Sequence, residues 1–130
     1  MVYQKDYGND SSKELLYDLR QKLAEQLGYL RERIIDARLK RDYPTWYFLL
    51  DSLFIEITKK LSEPEIKEFD ALMKKVNEKI KENPNAYTNA YTNKVASDDI
   101  YLALREMDIW LNKKMEKYKM FGSRDMDDGL

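Results

Sequence analysis

Hydrophobic positions along the chain recur at helical spacing in four stretches, separated by short polar breaks. The densest stretch is YPTWYFLLDSLFIEITKKL, residues 43–61. At about 100° per residue, Trp46, Leu50, Leu53, Phe54, Ile57 and Leu61 share one broad face, with Tyr47 at its edge. Phe48 and Ile55 fall on nearly the opposite side, between Ser52 and Lys59. Asp42 is placed to cap this helix, and Pro44 sits in its first turn, where a missing N–H costs nothing.

The first helix is expected from about residue 11 to 41, capped by Asp10, Ser11 or Ser12. Leu15, Leu16, Leu19, Leu23, Leu27, Leu30, Ile34 and Ala37 form one face over about seven turns, and the whole stripe is expected in the core. Gly28 interrupts it and suggests a close helix crossing there. Residues 1–10, with Tyr3 and Tyr7, read as a flexible polar arm.

A third helix, 63–82, opens on Ser62 and Glu65, which have the spacing of a capping box. Its stripe of Ile66, Phe69, Met73, Val76 and Ile80 is narrow, so the helix should lie at the periphery. Asn83-Pro84-Asn85 then stops it. The tandem copies Asn85-Ala86-Tyr87-Thr88 and Asn89-Ala90-Tyr91-Thr92 follow, in an expected loop of about a dozen residues.

The fourth helix is expected over 98–121, opened by Ser97-Asp98-Asp99 and stopped by Gly122. Ile100, Leu104, Met107, Leu111, Met115 and Tyr118 make its core face; Leu102, Ile109 and Met120 lie opposite. The tail, 122–130, is polar and acidic. The fold predicted is all-α: one domain over 11–121, an antiparallel four-helix bundle with a long loop before the last helix.

Composition narrows the function. Hydrophobic residues make up 43% and charged residues 36%, with 23 Lys plus Arg against 24 Asp plus Glu. A net charge of −1 provides no general attraction to nucleic acid or to an anionic membrane. The chain has no cysteine and no histidine, which removes disulfides, thiolate metal sites, and the commonest general base and metal ligand. No cofactor is implied. No apolar run reaches membrane-spanning length and the N-terminus is unlike a signal peptide, so a cytoplasmic protein is expected. The size and the Lys-, Asn- and Tyr-rich composition resemble accessory proteins of viruses and mobile elements.

Candidate chemistry is sparse. Glu65-Ile66-Lys67-Glu68 resembles half of the acidic signature of all-α nucleotide pyrophosphatases, which would imply a carboxylate-bound magnesium ion. The second acidic pair is missing, since Glu106-Met107-Asp108 has the wrong spacing. Asp51 is the one charge inside the apolar run and is expected to be buried against Arg105, Arg31 or Arg33. Basic residues gather toward helix C-termini, including Arg38, Lys40 and Arg41, where they offset the helix dipole.

The two-faced helices point to a non-catalytic interaction protein. It is expected to self-associate, most simply as a dimer, or to dock in a larger complex through Phe48, Ile55, Leu102, Ile109 and Met120. The alternative is a nucleic-acid-binding regulator using Arg38, Lys40 and Arg41 with Tyr87 and Tyr91.

Overall fold

The structure, a computed structural model, describes the backbone of residues 2–120 and the side chains of residues 14–120. Among the described residues it is all-α: α1 (Val2–Leu39), α2 (Tyr43–Ile57) with a 3-10 turn at Thr58–Lys60, α3 (Glu63–Glu82), a short α4 (Pro84–Thr88) and α5 (Lys94–Lys117). The tail, Phe121, Gly122 and the side chains of Tyr3 and Tyr7 lie outside the described residues.

Helix α2 is the centre of the bundle. Tyr43, Trp46, Leu49, Leu50, Leu53 and Ile57 are all buried, and they meet Ile100, Leu104, Met107 and Leu111 of α5 in one core. Helix α1 lies against α2, and α3 lies against α5. Phe54 of α2 stacks on Phe69 of α3 with ring centroids 4.0 Å apart. Tyr47 reaches Asn77, so α2 and α3 run in opposite directions. Only Glu65, Phe69 and Val76 of α3 are buried, as its narrow stripe predicts.

The caps follow local chemistry. Asp42 accepts from the Thr45 amide, and Ser62 and Glu65 form the reciprocal capping box. Helices α1 and α5 both close in Schellman geometry. In the first, the Asp42 amide reaches back to the Ala37 carbonyl with Arg41 at φ 52°; in the second, the Met120 amide reaches Met115 with Lys119 at φ 52°. These left-handed positions usually take glycine, so their placement on Arg41 and Lys119 was not predicted, and α5 stops before Gly122.

Other boundaries also differ from expectation. Helix α1 begins at Val2, not near Ser11, because no proline interrupts residues 2–10. The α2 helix ends at Ile57, and a 3-10 turn tightens its last residues. The loop before the last helix contains α4, which Pro84 starts at a position where its missing N–H is harmless. Helix α5 starts at Lys94, because Asn93 accepts from the Ala96 amide and caps it one turn before Ser97.

Gly28 is not a close crossing. A methyl group there would meet nothing within 4 Å. The larger departure concerns α1 itself. Its 38 residues make a rod about 57 Å long, longer than its partners. Leu27, Ile34 and Ala37 are buried, but Leu15, Leu16 and Leu19 on the same stripe are 61, 56 and 60% exposed. Among the described residues of the helix, the bundle covers the stripe only from Leu23 onward.

Candidate functional site

Two buried carboxylates organise the interior polar contacts. Asp108 sits on α5 beside the core, where the Trp46 indole donates to Oδ2 at 3.1 Å and the Asn112 amide donates to Oδ1 at 3.1 Å. Arg105 is 3.6 Å away. Burial pushes the Asp108 carboxyl above its ordinary range, against the opposing pull of Trp46, Arg105 and Arg38. A tryptophan at the centre of a core needs an acceptor for its N–H, and that need was the signal in the sequence for Asp108. Asp51, expected to fill this role, is only half-buried. Arg105 is thus a partner of Asp108.

Glu65 is the second. Its carboxylate accepts from the Ser62 amide and hydroxyl and from Tyr118 at 2.6 Å, and it pairs with Lys114 at 2.9 Å and Lys117 at 3.0 Å. The Ser62 amide first, then Tyr118 and the lysines, hold its carboxyl well below the usual range. Glu68 accepts from the Trp110 indole. Both carboxylates of the pyrophosphatase-like motif are therefore engaged in packing α3 on α5. Among the described residues no three acidic groups are placed to hold a metal ion.

At the basic end, Arg41 and Lys40 each have an acidic partner. Arg41 donates to Asp98 at 2.8 Å and to Tyr43, and lies over the Tyr101 ring, 4.6 Å from its centroid. The Tyr43 hydroxyl in turn bonds Ser97. Lys40 pairs with Asp36 at 3.0 Å. Arg38 lines a cavity of about 110 Å³ with Arg31, Arg105, Asp108 and Asn112; its Nε is buried with no hydrogen-bond partner. The tyrosines of the tandem repeat part company: Tyr87 packs against the core, whereas Tyr91 is 82% exposed. The repeat's alanines, Ala86 and Ala90, are both buried.

The outer apolar residues behave differently from one another. Phe48, Ile55, Leu102 and Ile109 are exposed, as their wheel positions predict. Met120 is not: it is buried, because the chain turns inward after Lys119 and the Met120 amide closes the end of α5. Nor do the four exposed residues form one patch. Phe48 and Ile55 project from the side of α2 opposite its core face, and Leu102 and Ile109 from the corresponding side of α5. The two helices pack core face to core face, so the pairs look out from opposite sides of the bundle.

Comparison of the chain with models of known protein families, with curated proteins and with solved structures finds no match. No helix among the described residues is long and apolar enough to cross a membrane.

Proposed function

We propose that the protein is a non-catalytic assembly module that self-associates through the outer face of α2 and presents the outer face of α5 to a further contact in a larger complex. The observation that carries this reading is the exposure of Phe48 and Ile55, 68 and 63%, two turns apart on a helix whose other side is the core. Burying one such side chain completely is worth about 1.5–3 kcal/mol. A two-fold contact brings two copies of each together, so the same pair is used twice. Leu102 and Ile109 face away from such a contact, which leaves them for a different neighbour.

Light scattering behind size exclusion over a wide concentration range tests it. Wild type is expected to run as a dimer or larger species. Phe48→Glu should shift it to monomer with helicity intact, whereas Ile109→Glu should leave the first association step in place. A wild-type monomer throughout, or a dimer that survives Phe48→Glu, overturns the proposal.

A further inference from the structure

A separate surface carries a second inference, independent of self-association. Where α1 leaves the bundle, a groove of about 290 Å³ lies between α1 and the end of α5. Leu23, Ala24, Tyr118 and Met120 supply its apolar lining, and Arg20, Lys60 and Lys119 its charge. Among the described residues no carboxylate lines it. Leu23 also belongs to the stripe whose outer members, Leu19, Leu16 and Leu15, are uncovered farther along α1. At 100° per residue, Arg20 and Lys22 flank that stripe on its two sides, while Glu14, Asp18 and Glu25 fall toward the far side of the helix.

We infer that this groove and stripe form a docking site for an amphipathic helix of another protein, one whose apolar face is bordered by Asp and Glu. The apolar part calls for leucine-like side chains at helical spacing, as in other helix-in-groove contacts. The cations select their flanks: Arg20, Lys60 and Lys119 at the groove, and Lys22 beside the stripe, repel a basic segment and attract an acidic one. A second copy of this chain fits the rim poorly, since a two-fold contact centred on the groove sets these cations against themselves. A bilayer surface fits its shape poorly, because the groove is an inside corner between a projecting helix and the bundle end. A side chain enters such a corner; a flat surface does not.

The test uses the full chain and fluorescence anisotropy with a labelled synthetic helix. The probe carries leucine every third and fourth position and glutamate elsewhere; its control has lysine for glutamate. The acidic probe is expected to bind, less tightly as salt shortens the range of the rim charges, and the basic control is not. Leu19→Glu should abolish binding. Leu19 is outside the bundle, so circular dichroism should show the fold unchanged. Arg20→Glu with Lys22→Glu should weaken binding about tenfold. Equal binding of both probes, or binding that ignores all three positions, overturns the inference. So does a chain that binds phosphatidylserine vesicles and neither probe, which would make the face a membrane contact.

Discussion

Replacing Asp108 separates two effects that its position joins. The carboxylate is the acceptor for the Trp46 indole at the centre of the core, and it is an ionisable group that burial makes reluctant to ionise. Asp108→Asn keeps an acceptor for Trp46 and removes the ionisation. Asn112 can turn its own amide over to match the new one. The cost at neutral pH should be within about 1 kcal/mol. Asp108→Ala instead leaves the Trp46 N–H buried without a partner, which costs about 1–3 kcal/mol. The pH dependence gives the sharper test. An unfolded aspartate titrates near 3.9, approximately, and in the fold Asp108 titrates higher. Between the two values the native state binds more protons than the unfolded chain, so stability falls as pH rises, and above the folded value the penalty is constant. Urea unfolding followed by circular dichroism in steps from acid to neutral pH should show wild type losing ground to Asp108→Asn across that window. Other groups titrate alike in both proteins and cancel in the difference. Wild type gaining on the variant as pH rises would refute the argument, because it would mean that Arg105 outweighs burial. Equal costs for the alanine and asparagine variants would remove the role given to the Trp46 bond.

Gly28→Ala should raise stability by about 1 kcal/mol, since the new methyl group meets nothing and the helix gains propensity; thermal unfolding should shift upward by about 2–6 °C. Glu65→Gln should destabilise at neutral pH, and the difference from wild type should shrink as acid is added. A carboxylate titrating below its unfolded value, about 4.3, contributes fully above that value and loses its contribution below it. Denaturation midpoints at neutral and acid pH check both parts. Tyr43→Phe removes the hydroxyl that holds Ser97 and accepts from Arg41, and should cost about 1–2 kcal/mol by urea titration.

Much of the bundle is legible in the chain because its signals are local. Asp42 with Pro44, and Ser62 with Glu65, mark helix starts by chemistry within one turn, and both stand where expected. The core face of α2 follows from periodicity alone. What was not legible depends on neighbours distant in sequence. A wheel places Leu16 and Ile34 on the same stripe, but only tertiary length decides which of them a partner helix reaches. Asp51 stands out in an apolar run, whereas Asp108 is buried because Trp46, 62 residues away, turns its indole toward it. Likewise, the wheel assigned Met120 to the outside, although the helix has ended by then and angular reasoning no longer applies. The outer residues Phe48, Ile55, Leu102 and Ile109 were found individually; their separation onto two sides of the bundle required knowing that α2 and α5 pack together.

The overhang of α1 has a thermodynamic side. Amides within Leu27–Leu39 open only when the bundle does, whereas those around Leu15–Leu19 are held by helix hydrogen bonds alone. An unsupported helix of that length is marginal in water, so the two halves of one continuous helix should exchange hydrogen at very different rates. Any ligand of the outer half must then supply the free energy of holding it helical. Its affinity becomes adjustable at positions that never touch it: each outward-facing residue of α1 that favours or disfavours helix sets how much of the binding energy is left over.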